Sequence, residues 1–221
     1  AGIWEVSTGD AHISPPTYSA RAAPANFCAY SPNGTLLASA GDSGIHLWDS
    51  SSWKLHHHLP IKGANSVRFD PRSGDLWVAS RAGLDRYRHP GSEADPPLSE
   101  VEKIPIPDGL FPHHLAQSSD GQTIFADLLQ PPDLTPAGQL MLLNHGDSDP
   151  RIFQGDDDAR FTAISPDGRW AANGNWHGEA VTIWDTRSGQ QEQRINSLTS
   201  SVVAFSPDAK VLVVADTTAL R

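Results

Sequence analysis

A chain of 221 residues with 26 Asp+Glu against 16 Lys+Arg carries a formal charge of −10, a field that repels phosphate backbones. No basic patch overrides that field, so nucleic acid is not expected as a partner. No apolar run approaches the roughly 20 residues of a membrane helix, so this segment is not expected to insert into a bilayer. The single cysteine, Cys28, rules out an internal disulfide and fits a reducing compartment. Ala1-Gly2-Ile3-Trp4-Glu5 shows neither the basic flank nor the apolar stretch of a secretion signal, so the expected location is cytoplasmic.

In chain order, residues 1–14 read as the tail of a structural unit. The first full unit has strands at Phe27-Cys28-Ala29-Tyr30, Leu36-Leu37-Ala38-Ser39 and Ile45-His46-Leu47-Trp48, then a weaker strand over 54–59. The second runs through Val67-Arg68-Phe69, Leu76-Trp77-Val78-Ala79 and Leu84-Asp85-Arg86-Tyr87 to 101–104. The third has His114-Leu115-Ala116, Thr123-Ile124-Phe125-Ala126, Gln139-Leu140-Met141-Leu142 and 151–153. The fourth has Phe161-Thr162-Ala163-Ile164, Trp170-Ala171-Ala172, Val181-Thr182-Ile183-Trp184 and 191–195. Val202-Val203-Ala204-Phe205 and Val211-Leu212-Val213-Val214-Ala215 begin a fifth. The second strand of each unit is nearly continuous apolar sequence, the pattern of a strand buried on both faces. The weak fourth strand reads as the outer, solvent-facing one. Insertions at 90–100 and 128–138 are rich in proline and read as stiff extended loops. No segment sustains the 3.6-residue periodicity of a helix.

A turn of the same kind separates the first two strands of every unit. Ser31-Pro32-Asn33-Gly34, Asp70-Pro71-Arg72-Ser73-Gly74, Ser118-Ser119-Asp120-Gly121, Ser165-Pro166-Asp167-Gly168 and Ser206-Pro207-Asp208-Ala209 end 40, 47, 47 and 41 residues apart. A period of roughly 40–45 residues with four strands per unit is the signature of a propeller blade. The predicted fold is therefore all-β, a β-propeller of four-stranded antiparallel blades. Full blades fall at about 26–59, 64–104, 112–154 and 159–196, with partial ones at 1–14 and 201–221. Four full blades and two partial ones make an incomplete ring, unless the N-terminal strand completes the C-terminal blade and closes five.

Leu47-Trp48-Asp49 and Ile183-Trp184-Asp185, with Ile3-Trp4-Glu5 close to them, resemble the Trp-Asp ending of WD40 repeats. The stretches from Ser31 to Lys54 and from Ser165 to Gln190 are similar to bacterial WD40 blades over nearly their whole length. The resemblance is strong over 26–59 and 159–215 and weak over 64–154. No blade has the Gly-His pair that often precedes the first strand in that family, so its His–Ser/Thr–Asp–Trp hydrogen-bond network is expected to be incomplete. Ser39, Asp42 and Trp48 are its best surviving members. Such propellers usually have seven blades and about 290 residues, so the resemblance implies a piece of a longer multidomain protein.

Several patterns that suggest chemistry have simpler readings. Gly41-Asp42-Ser43-Gly44 matches part of a serine-protease nucleophile string, but falls where a hairpin turn must lie. In His56-His57-His58 only the alternate residues could converge, and two ligands make a weak metal site. His113-His114 enters a first strand, where packing outweighs a role in the central channel. Asp147-Ser148-Asp149 and Asp156-Asp157-Asp158 lack the spacing of a calcium loop and read as solvated charge. Asn33-Gly34-Thr35 fits a glycosylation sequon but is also what its turn prefers. No catalytic residue, metal or cofactor is expected.

The segment Asn173-Gly174-Asn175-Trp176-His177-Gly178-Glu179 stands apart, because Trp176 has no place in the alternating core pattern. Its loop shares a propeller face with the fourth-to-first-strand loops. Trp176, His177, Asp156, Asp157, Asp158, Leu129, Pro131 and Pro132 are the candidate protein-binding residues there. The competing reading folds Trp176 down onto its own blade. The WD40 resemblance implies a non-catalytic scaffold for protein partners within a larger bacterial signalling or regulatory protein. The alternative is a lactonase-like or other ligand-binding or hydrolytic propeller, with side chains of several blades converging in the axial channel.

Overall fold

Each apolar pair closes into a hairpin because its turn residues bond their own backbone. A computed structural model describes residues 24–88, 99–130, 135–156, 159–178, 180–197 and 199–216. Ser31 Oγ donates to Asn33 Oδ1 (2.7 Å) and accepts from the Leu36 N–H (2.9 Å), while the Gly34 N–H closes on the Ser31 carbonyl (2.9 Å). The same bonds recur at Ser118/Asp120, Ser165/Asp167 and Ser206/Asp208. In the second unit the Asp70 carboxylate instead takes the Arg72 and Ser73 N–H groups, at 2.9 and 3.0 Å. Locally satisfied polar groups are what make these short sequences turns. The last position is left-handed in all five: φ is +73° at Gly34, +74° at Gly74, +68° at Gly121, +70° at Gly168, and +58° at Ala209, which has a Cβ to accommodate.

The described chain is all strand and turn, with no helix. β1 (Ala25–Tyr30), β2 (Leu36–Gly41), β3 (Gly44–Asp49) and β4 (Leu55–Leu59) form one antiparallel sheet in sequence order. β5 (Ala64–Phe69), β6 (Leu76–Ser80), β7 (Gly83–Arg88) and β8 (Ser99–Ile104) form the second. β9 (Phe111–Gln117), β10 (Thr123–Gln130), β11 (Thr135–Asn144) and β12 (Arg151–Gln154) form the third. β13 (Ala159–Ile164), β14 (Trp170–Asn175), β15 (Ala180–Asp185) and β16 (Gln191–Asn196) form the fourth, to which the hairpin β17 (Ser201–Phe205) and β18 (Leu212–Asp216) is joined.

Two details depart from the sequence reading. The hairpin β17–β18 does not stand apart from the fourth blade: Asn175 pairs with Ser201, making one curled six-stranded sheet. The approach is so close that a Cβ on Gly174 would lie 2.1 Å from the Ser201 carbonyl oxygen. The insertion at 128–138 is also not simply a loop. A register shift after Leu128 lets β10 and β11 keep pairing, Leu129 with Pro136 and Gln130 with Thr135, so the insertion lengthens a hairpin. Residues 1–14, most of 90–100, Pro131, Pro132, Asp157 and Asp158 lie outside the described residues.

The sheets stack radially. β5 packs on β1, β2 and β3; β9 packs on β5, β6 and β7; β13 packs on β9, β10 and β11; and β17 packs on β13, β14 and β15. Apolar clusters fill the gaps. Ala38, Ala40, Ile45 and Leu47 meet Val67, Phe69, Leu76 and Val78 between the first and second sheets. Trp77, Ala79 and Leu84 meet Leu115, Ile124, Ala126 and Leu128 between the second and third. Phe125, Leu140 and Leu142 meet Ile164, Ala171 and Trp184 between the third and fourth. Successive residues of β6 and β10 thus point into different clusters, which is why those strands read as unbroken apolar runs.

The two Trp-Asp endings are tied in differently. Trp184 is buried; its indole N–H reaches Asn173 Oδ1 (2.8 Å) and Thr182 Oγ1 (3.2 Å), and Thr182 donates to the same amide oxygen. Trp48 is half-buried and donates to Ser39 Oγ (3.1 Å), while Asp42 is exposed and takes no part. Asp49 and Asp185 instead cap the next turn, each accepting two backbone N–H groups on Oδ1. Those donors, with the Ser51 and Ser52 hydroxyls on Asp49, hold both carboxyls below the usual range.

W184A is expected to cost about 3–5 kcal/mol in chemical denaturation, and W48A clearly less, because only the first empties a buried site. A209G is expected to stabilise by about 1 kcal/mol, by relieving a left-handed alanine. A lower denaturation midpoint for A209G would show that its turn is not strained.

Candidate functional site

The inner strands share an irregularity that sequence alternation does not reveal. β1, β5, β9 and β13 each shift register against the second strand of their sheet, at residues 25–27, 64–66, 112–115 and 160–162. Such bulges bend a strand and re-aim its side chains. In β13 the bulged residue is Phe161, held at φ +55°, a conformation an aromatic residue adopts only under constraint.

In β9 the bulge sets His113 and His114 opposite the single residue Asp127 of β10. Asp127 is completely buried. One carboxylate oxygen accepts the His114 backbone N–H (2.9 Å), and the other faces His113 Nδ1 at 3.2 Å. The two imidazoles lie 4.8 Å apart and nearly perpendicular. This trio is the one grouping among the described residues compact enough to hold a metal, its ligand atoms lying within 4.8 Å of one another. Its bonding is that of a clamp, because both oxygens of Asp127 are already committed to nitrogen donors, which is how a buried carboxylate is stabilised. The guanidiniums of Arg68 and Arg160 act on His114 as further positive charge, which disfavours a cation there. Burial pulls the His114 pKa down, the Asp127 charge opposes this, and His113, Arg68 and Arg160 reinforce it.

Aromatic rings and cations run from this clamp across the inner edges. Phe27 of β1 packs edge-on against His114 (5.6 Å), His114 against Phe161 (5.4 Å), and Phe161 against Trp176 (6.0 Å). The Arg68 guanidinium sits 4.1 Å above the Phe27 ring, and that of Arg160 lies 5.9 Å from the Trp176 ring. Trp176 follows β14 and remains 45% exposed, with His177 edge-on at 5.7 Å and the Ser200 hydroxyl donating to its carbonyl. Trp176 therefore rests one side on its own blade and offers the other to solvent.

The other candidates separate. Leu129 is 1% exposed, its strand continuing where the sequence suggested a loop, so it belongs to the core and not to a docking patch. Asp156 is half-buried in the link between β12 and β13, beside Arg194 (3.7 Å). Asp157, Asp158, Pro131 and Pro132 are not among the described residues. Asp147 and Asp149 are exposed, Asp147 taking the Asn144 amide and Asp149 the Ser148 hydroxyl.

The remaining patterns resolve as turns and stacks. Gly41 pairs with Gly44 around the two-residue turn Asp42-Ser43. His58 Nε2 donates to the Ser43 backbone carbonyl (2.8 Å), not to its hydroxyl, and its ring stacks on His46 at 4.4 Å. Burial, and then His58, lower the His46 pKa. The Asn33 side chain is occupied by Ser31 and Thr35 within its turn.

Radially stacked four-stranded sheets, each leaning on the inner strand of the next, are the architecture of an incomplete β-propeller. The family model of the WD domain, G-beta repeat, matches residues 16–49, a span that contains β1, β2 and β3. The sheets beyond that match are consistent with a WD40-like β-propeller. No curated protein matches the chain. Phe27, Arg68, Asp127 and Phe161 escaped the sequence reading. The available signal was a lone acid inside the apolar run of β10, and a lone cation between Val67 and Phe69.

His46 and His114 both have folded pKa values below the ordinary 6.5, so the unfolded chain binds protons first as pH falls. Stability is then full above 6.5 and declines as pH drops from there towards the lower folded values. Thermal melts between about pH 7.5 and 5.5 should show this decline, with a shallower slope in H46T, which places threonine where the fourth sheet has Thr182. A flat profile would contradict the burial of these rings.

Proposed function

We propose that this chain is a non-catalytic protein-interaction module of a larger bacterial signalling or regulatory protein working in the cytoplasm, and that it docks its partner on the face bearing Trp176. WD40 repeats generally mediate protein–protein interaction. The observation that carries the reading is Trp176 itself: a 45% exposed indole on a rigid sheet end, backed by Phe161 and flanked by Arg160 and His177. Large aromatics presented by a rigid scaffold supply binding area at little entropic cost, and they dominate interface energies. The strained Phe161 beneath it fits a scaffold that maintains a costly conformation for a purpose other than packing.

A hydrolytic reading needs acids and imidazoles of several blades converging on one accessible point. The grouping of His113, His114 and Asp127 comes from a single sheet, and its carboxylate is sealed from solvent. It supports the interaction reading better, as a brace under the aromatic run. Among the described residues no helix is long and apolar enough to cross a membrane.

Peptides selected by display on the folded chain test the proposal. W176A should keep the melting temperature of the parent and weaken selected peptides by about tenfold or more. Equal binding by both proteins would refute the docking role, and cooperative loss of folding in W176A would make Trp176 a core residue.

A further inference from the structure

Several arginines of this fold are answered by oxygen. Arg86 meets Asp75 at 2.8 Å, and Arg169 meets Asp185 at 2.9 Å. Arg151 donates to the Thr186 and Arg187 carbonyls across the gap between the third and fourth sheets. Arg68 differs: it is half-buried on the inner strand β5, and its guanidinium has no hydrogen bond or ion pair among the described residues. Burial drags its pKa down to about 10, against the Cys28 thiol of β1, which pulls it up. A charge partly withdrawn from water without a counter-ion is less well solvated than one in bulk water, so a counter-ion brought by a ligand is favoured there.

We propose that Arg68 is the receptor for a carboxylate presented by an acidic peptide segment of the protein partner, lying along the inner strand edges. This rests on the reading that the Trp176 face docks a partner. The guanidinium carbon is held over the Phe27 ring at 4.1 Å, and its N–H groups are the donors whose fork geometry matches a carboxylate. From Phe27 the rings of His114, Phe161 and Trp176 follow in steps of 5.4–6.0 Å, so the path from Arg68 to the exposed indole is at most roughly six residues of extended chain long. Apolar side chains of the bound segment would lie on these rings. The chain repels anions as a whole, with its net charge of −10, so an acidic ligand is held only where local cations outweigh that field. Arg68 supplies such a place, and both oxygens of Asp127 are already engaged by His113 and the His114 N–H.

The test follows the Arg68 Nε–H signal by NMR, assigned by its disappearance in R68M, while N-acetylglutamate amide is titrated into the whole chain. A saturable shift is expected with this probe, and none with N-acetylglutamine amide. R68M, which keeps an unbranched apolar stem over Phe27, should melt at or above the parent temperature. It should also bind the acidic members of the displayed peptides about tenfold more weakly. Equal shifts with both probes, a fall in melting temperature for R68M, or unaltered acidic-peptide binding would each overturn the proposal. A shift with inorganic phosphate alone would overturn the carboxylate assignment in favour of a phosphorylated segment. Peptides that depend on Trp176 but show no acidic preference would sink the role of Arg68 and leave the docking face standing.

Discussion

Burial of the middle strands on both faces is the constraint from which the rest of the architecture follows. A sheet whose second strand reads Leu76-Trp77-Val78-Ala79, all of it buried, cannot be stable with one face wet. It needs one neighbour for Leu76 and Val78 and another for Trp77 and Ala79, and the first and third sheets are those neighbours. Stability is therefore a property of interfaces between repeats more than of any repeat alone. The outermost faces of the arc show the other side of the same constraint. Tyr30 on β1 is 53% exposed and Val202 on β17 is 48% exposed, because no described sheet covers them.

Because packing is spent on the faces of the sheets, the inner strand edges are left free for other work. Small middle-strand residues such as Ala38, Ala40, Ala126 and Ala171 let the sheets approach closely, and the inner strands converge. Register shifts at that convergence break the two-residue alternation and bring rings of the first, third and fourth sheets into one run, with Arg68 of the second over its first ring. The cost is visible in the left-handed Phe161 and in the fully buried Asp127. Asp127 is tolerable because His113 and the His114 backbone answer both its oxygens, and in doing so it locks the bulge that aims His114 at Phe27 and Phe161. The positioning elements thus belong to the scaffold, whereas the exposed indole of Trp176 does not.

What the sequence makes legible is whatever depends on local chemistry. Ser-Pro-Asp-Gly turns satisfy their own polar groups within six residues, so their strands could be located from composition alone. The doubly buried second strands were equally plain, since a short unbroken apolar run between two such turns must be covered on both faces. Register was not legible. Whether His113 and His114 diverge or converge depends on an extra residue in β9 relative to β10, a property of the pair and not of either strand. The extension of β10 through Leu129 was hidden for the same reason, because the proline-rich composition pointed to a loop while pairing with Thr135 and Pro136 carried the hairpin on.

The arginines show how far a residue's role lies outside its own strand. Arg86 and Arg169 each lie against an indole, Trp77 and Trp170, with a carboxylate within 3.0 Å, so their charge is spent on holding a sheet together. Arg68 makes the same kind of ring contact on Phe27 without the carboxylate. In sequence Arg86 follows Asp85 and Arg169 lies two residues after Asp167, whereas Arg68 stands between Val67 and Phe69. Only the fold shows that the acid is present for two of them and missing for the third. A charge already answered within the fold gains little by meeting a partner, because new bonds replace old ones. One left unanswered in a low-dielectric setting has the most to gain, so it is the place where an incoming carboxylate contributes most to both affinity and choice of partner.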